Sequence, residues 1–225
     1  MVAINTTHRD PQHGRLIEAL AAPRPNTRLR AALAAGTDPD PRFVEPLITR
    51  SAVEPDFFVR DMLTWALTRQ PDHLTVPRLL DQLTSSRAQA RSQALHTLSK
   101  IKNTHTWSQI PVALLHDADD EVARSAWRAA VVLVPSGQQT SLATELVTEL
   151  GRGDREVQRS LSRALIALGD TVLPMLTDAM AHSDPGVRAH AWATERLRRD
   201  PDSEFTHVLD EATRIVLTGA APTMD

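Results

Sequence analysis

A motif returns down this chain at a nearly fixed period, and that limits the architectures open to it. Asn26-Thr27-Arg28-Leu29, Asp56-Phe57-Phe58-Val59, Arg87-Ala88-Gln89-Ala90, Asp119-Asp120-Glu121-Val122, Asp154-Arg155-Glu156-Val157 and Asp184-Pro185-Gly186-Val187 align. The fourth column is always apolar: Leu29, Val59, Ala90, Val122, Val157 and Val187, spaced 30, 31, 32, 35 and 30 residues apart. Periods in this range mark stacked-repeat proteins, in which each unit buries its apolar face only against its neighbours. Such folds are mostly binding surfaces.

Each copy reads as two helices, the second starting at the motif. Asn26, Asp56, Asp119, Asp154 and Asp184 stand where an N-cap acceptor is wanted. Arg87 breaks the rule, and Ser86 is the expected substitute cap. Apolar residues then return on one face: Val59, Leu63, Ala66 and Leu67; Val122, Ala126, Ala129 and Ala130; Val157, Leu161, Ala164 and Leu165. That spacing is a stripe on a 3.6-residue helix. Pro46, Pro77, Pro111 and Pro174 fall 13, 13, 11 and 13 residues before their copy's apolar column, each followed by apolar residues. A proline within a helix bends it, so a recurring bend is expected at these sites. Leu16 and Thr144 hold the column in the other two copies, whose first helices should be straighter.

Paired helices, a mid-helix proline followed by leucines, and the Asp-x-x-Val-Arg start at Asp56–Arg60 and Asp184–Arg188 resemble HEAT repeats over residues 12 to 200. The resemblance implies an all-α, right-handed α-solenoid (α-α superhelix) of about six helix pairs. It also implies a scaffold or interaction surface rather than an enzyme. In that family an aspartate and an arginine of the second helix often form a ladder between repeats. Arg60, Arg91 and Arg188 match the arginine, whereas Ala123 and Gln158 do not, so the ladder is expected to break mid-array.

The expected organisation is a disordered stretch over 1–10, a repeat domain over 11–218 and a flexible tail over 219–225. Phe205, Val208, Leu209, Ala212, Ile215 and Val216 make one apolar face, which predicts a lone capping helix over the last repeat. The formal net charge of −3 argues against a general nucleic-acid or membrane-surface binder. The chain has no cysteine, which removes disulfides, thiol catalysis and cysteine-ligated zinc. No signal peptide and no membrane-length apolar run is visible, so the cytoplasm is the expected compartment. Lys100 and Lys102 are the only lysines beside many arginines, which reads as codon bias in a GC-rich bacterial genome.

The resemblance places second helices on the concave side of the solenoid. Each residue turns about 100° around a helix. Positions two, five, six and nine after the apolar column should therefore face away from the core. These hold Asp61, Trp65, His96, Arg124, Trp127, Arg128, Arg159, Arg163, Trp192 and Arg196, among smaller residues. Arg124/Arg128 and Arg159/Arg163 are i, i+4 pairs on successive second helices, flanked by Trp127 and Trp192. Arginine and tryptophan are enriched where binding energy concentrates. The set is expected to hold a protein or acidic peptide segment, with a nucleic-acid backbone as the alternative partner. Trp127 and Trp192 have an equal competing reading as packing residues, and Trp107, near the start of a first helix, reads as structural.

Nothing in the sequence has metal-ligand spacing, and no cofactor is expected. Gly151-Arg152-Gly153-Asp154 reads as a turn feeding an N-cap, not a phosphate loop. Some alkylpurine DNA glycosylases are built from HEAT-like repeats and use a basic channel, aromatic residues and a carboxylate. Asp61 and Trp65, one turn apart, are the residues that role would fall on. Phycobilin lyases of HEAT-like fold are a further architectural resemblance. The leading expectation remains a non-enzymatic interaction module.

Overall fold

The structure is a computed structural model that describes residues 9–218; the expected tail over 219–225 and most of the expected disordered start lie outside it. It is helical, with no strand among the described residues. The chain forms two compact units, the first running to Ile110 and the second starting at Pro111.

The first unit holds three helix pairs: α1 (Arg9–Leu20) with α2 (Pro25–Thr37), α3 (Val44–Ser51) with α4 (Phe57–Thr68), and α5 (Asp72–Gln82) with α6 (Ala88–Ile101). The first helix of each pair packs on the next first helix, α1 on α3 and α3 on α5. The second helices do the same, α2 on α4 and α4 on α6. This two-layer stacking is the arrangement of an α-solenoid. The second unit repeats it. A 3-10 turn over Val112–His116 packs on α7 (Asp120–Leu133), α8 (Gln139–Val147) on α9 (Arg155–Ala167), and α10 (Leu173–Ala179) on α11 (Pro185–Arg199). A last helix, α12 (Phe205–Thr218), closes the stack.

The apolar stripes form the core. Val59, Leu63, Ala66 and Leu67 are buried, as are their counterparts on α7 and α9. On α12, Phe205, Val208, Leu209 and Ala212 pack against Ala189 and Ala193 of α11, with Trp192, Leu197 and Val216 at the edge. The apolar face of α12 therefore covers the last pair.

Helix starts follow local chemistry. The side chains of Asp56, Asp119, Asp154 and Asp184 accept backbone N–H groups of the first turn, and each of the last three accepts two. Two expected caps are corrected. α2 begins at Pro25 with Arg24 at the N-cap, so Asn26 lies inside the helix. Proline suits that first position because its missing N–H would have no partner there. At α6 the N-cap Arg87 makes no side-chain cap, and Ser85 rather than Ser86 accepts the Arg87 N–H.

The prolines also differ from expectation. Only Pro77 sits inside a helix. Pro46 and Pro174 fall in the first turns of α3 and α10, and Pro111 precedes the 3-10 turn. In those places no intrahelical bond is lost, so no bend is required.

The expected arginine ladder takes another form. Arg60, Arg91 and Arg188, four residues after their N-caps, reach back to carbonyls five or six residues earlier. Arg60 Nη1 donates to Glu54 O and Pro55 O at 3.0 and 2.8 Å. Arg188 Nη1 does the same to His182 O and Ser183 O, and Arg91 Nη1 to Ser85 O. Arg28 shows that pattern with Ala22 O and Pro23 O, which confirms that the first copy is registered on Arg24. Each arginine thus ties its own inter-helix turn to its helix. The ladder does not lapse at the two exceptions. Gln158 Nε2 takes the role with Gly151 O and Gly153 O. Where Ala123 offers nothing, Arg152 of the following turn donates to Asp117 O and pairs with Asp120 at 2.8 Å.

Gly153 is required by close approach. Its φ is +68°, and a Cβ there would come 2.8 Å from Val157. Gly151-Arg152-Gly153-Asp154 is accordingly a tight turn into the N-cap of α9.

Candidate functional site

The outward residues of α7, α9 and α11 belong to the second unit, and its arginines differ in how far they are neutralised. Arg124 pairs with Glu121 at 2.7 Å, yet its buried Nε has no partner. Arg128 bonds only neutral groups, donating to Arg124 O at 3.1 Å and Ser125 Oγ at 3.2 Å. Desolvation and the neighbouring Arg124 charge pull its pKa below the usual arginine value. Arg159 stands 3.8 Å from Glu156, a loose exposed pair. Arg163 is exposed and Arg196 half-buried, and neither has an ion pair or hydrogen bond among the described residues. α7 packs on α9 and α9 on α11, so these arginines stand on adjoining helices, Arg124 and Arg159 each beside a glutamate partner and the others without one among the described residues. Such a surface favours anions, and arginine forks suit carboxylates in particular.

The tryptophans divide. Trp127 is wholly buried, and its Nε1 donates to Leu115 O at 2.8 Å. It is a core residue, not a contact residue. The Arg152 guanidinium lies 6.0 Å from its ring centroid. Trp192 is half-buried against the α12 cluster. The physical reason is the breadth of the buried arc. A second helix touches its own first helix and the second helices on both sides, which buries position five as well as the stripe. Thr64, Leu95, Trp127 and Ser162, all at that position, are buried together.

Asp61, Trp65 and His96 lie on α4 and α6 in the first unit. Asp61 is exposed and His96 half-buried. Trp65 is 38% exposed and lies over Gly36 of α2, where a Cβ would come 2.3 Å from the indole. Glycine at 36 is therefore what lets the ring lie against α2, a relation that the repeat pattern did not reveal.

One arrangement resembles a catalytic pair and is not one. Ser162 Oγ lies 3.0 Å from His190 Nε2, and both residues are 0% exposed. His190 Nδ1 accepts the Gly151 N–H at 3.0 Å, while Nε2 faces Gln158 O at 2.9 Å. Nδ1 accepting and Nε2 donating is the reverse of the tautomer a serine-activating base needs. Ser162 then bonds Thr194 at 2.7 Å, and Thr194 donates to His190 O. Burial holds the histidine pKa down to about 4, so it is neutral. The cluster is a satisfied polar knot joining α9 to α11. No group of acidic and histidine side chains among the described residues could hold a metal ion.

Residues 15–99 match the family model of HEAT repeats. That match and the paired helices of the first unit support a HEAT-repeat family for this stretch. HEAT repeats generally serve as non-enzymatic scaffolds that bind proteins. The second unit has the same two-layer stacking. Among solved structures the chain is similar to an engineered protein determined by the Northeast Structural Genomics Consortium. The two are 19% identical, the match covers 82% of this chain and 97% of that one, and the TM-score is 0.45. No curated protein matches the sequence. No helix among the described residues is long and apolar enough to cross a membrane.

Proposed function

We propose that this HEAT-repeat protein is a non-enzymatic interaction module that binds an acidic protein segment on the outward face of α7, α9 and α11, the face a HEAT solenoid presents as its concave side. The supporting observation is the uncompensated charge: Arg163 and Arg196 lack partners among the described residues, and Arg128 bonds only neutral atoms. Trp127 drops out of the site because it is buried.

The test uses a glutamate-rich synthetic peptide and the full chain. Binding weakens as salt rises, because exposed charges are screened beyond about 8–10 Å. The double variant Arg128→Glu, Arg163→Glu loses binding and keeps its fold. Undiminished affinity in that variant would overturn the reading. So would release of alkylated bases from DNA that disappears in Asp61→Asn.

A further inference from the structure

Beside the arginines of α9 lies a pocket of about 290 Å³. Its α9 wall is one helical stripe: Arg159, Arg163, Ile166 and Ala167, at i, i+4, i+7 and i+8. Leu197 from the end of α11 faces that stripe, and Phe205 forms the floor. Phe205 is only 3% exposed and meets the His190 ring edge-on at 6.2 Å, so the floor is fixed by the core. One end of the pocket is thus apolar and the other carries guanidinium groups. Arg163 brings an unused charge, and Arg159 is held only by the 3.8 Å approach of Glu156.

Pockets that take drug-sized ligands run from about 300 to 1,000 Å³. This one is at the lower bound, too small for a large cofactor and large enough to admit an apolar side chain. We propose that it is the anchor site for a partner peptide: a leucine-sized apolar side chain enters between Ile166, Leu197 and Phe205, and an acidic side chain of the same peptide pairs with Arg163. This rests on the acidic-segment reading above and adds a local sequence requirement to it.

The geometry sets the spacing. A rise of about 1.5 Å per residue puts Arg163 about 4.5 Å and Arg159 about 10 Å along α9 from Ile166. An extended peptide advances about 3.3 Å per residue and sends alternate side chains to one face. An acidic residue two positions from the apolar anchor lies about 7 Å along and one four positions away about 13 Å along, each about 2–3 Å beyond its arginine's Cα level and within reach of the long Arg163 and Arg159 side chains. The connection between α11 and α12 carries Asp200, Asp202 and Glu204. Its negative charge turns the acidic end of the peptide toward α9.

The experiment is an amide NMR titration of the full chain with three synthetic peptides in a serine-glycine background. The first has leucine followed by glutamate at the second and fourth positions. The second replaces leucine by alanine, and the third replaces both glutamates by glutamine. The first peptide is expected to shift amides of residues 163–167 and 197–205 and to bind about tenfold or more tighter than either control, as a buried anchor does. Ala167→Trp, which fills the pocket from an exposed position, removes the preference for leucine and leaves the affinity for acidic peptides. Arg163→Glu removes the preference for glutamate. If the alanine peptide binds as well as the leucine peptide, and Ala167→Trp changes nothing, the anchor site is refuted while the acidic-segment reading stands. If no acidic peptide shifts any amide on α7, α9 or α11, both fall together.

Discussion

The two units differ in their most deeply buried polar groups. In the first, Glu54 is 0% exposed and carries a charge. Arg28 bonds both of its oxygens at 2.6 and 2.7 Å, Arg50 adds a bond at 2.7 Å, and the Asp56 N–H adds another at 3.0 Å. Burial opposes the carboxylate charge, but these donors together hold its pKa below the usual glutamate value. Arg28 is also buried, and its bond to Glu54 raises its own pKa. In the second unit the most deeply buried polar group is the neutral Ser162–His190–Thr194 knot, while the 9% exposed Glu195 is held by Arg198 and Arg199, each at 2.8 Å. Among the described residues both units leave some arginines without partners at the surface, Arg30 and Arg69 in the first and Arg163 in the second.

The sharpest way to probe this contrast is to remove one buried side chain from each unit. Glu54→Gln strands two guanidiniums in the first unit and is expected to cost about 3–5 kcal/mol in urea unfolding, because an unpaired buried charge remains. Trp127→Ala should cost the second unit a similar amount, about 3–5 kcal/mol, through a cavity instead of a charge. A near-neutral Glu54→Gln would show that the ion network is not a structural element.

Acid should separate the units next. His190 has its folded pKa depressed by burial to about 4, against an ordinary value of 6.5. The unfolded chain binds the proton first, so the stabilisation from the neutral ring is present above pH 6.5 and is lost as pH falls toward 4. At about 1.4 kcal/mol per pKa unit the loss is on the order of 3 kcal/mol. His116 has the opposite sign: its bond to Glu149, with Glu145 adding to it, raises its pKa, so its contribution is present below 6.5 and fades as pH rises through the folded value. That cluster is partly solvated and offsets only a little. In the first unit the depressed groups are carboxylates, Glu54 and Asp40, the latter lowered to about 2 mainly by its bond to Arg42. Their contribution is lost only as pH falls from the ordinary carboxylate range through those lowered values. Hydrogen exchange between pH 6.5 and 4.5 should therefore show the second unit loosening before the first. Equal loss of protection in both units would refute the assignment, and His190→Gln should remove the difference.

A smaller effect concerns Trp65. Gly36→Ala puts a methyl group into the indole and should cost about 1–3 kcal/mol, with a change in tryptophan emission. The smallest is Arg163→Glu, which should move stability by no more than about 0.5 kcal/mol because nothing in the fold uses that charge. A large loss there would mean that Arg163 is structural, not one of the surface arginines without a partner.

The sequence by itself determined the all-helical class and the phase of most second helices. Aspartates at four N-caps, the stripes from Val59, Val122 and Val157, and the apolar face of α12 all follow from interactions within one or two turns, which a linear pattern records. The start of α2 is a miss: the apolar column points to Asn26, whereas the N-cap is Arg24 with Pro25 at the first helical position. Tertiary structure alone decided how wide the buried arc is. Helical period says which residues share a face, but not how many neighbouring helices cover it. The place of Trp127 on its helix therefore leaves contact and packing equally open, and its complete burial decides for packing. Contacts between repeats were equally hidden: the reach of Arg152 to Asp117, the seat of Trp65 on Gly36, and the pocket where α9 meets Phe205 join residues about 30 to 45 positions apart. Those distances are set by the packing of whole helices, so local sequence chemistry carries no record of them.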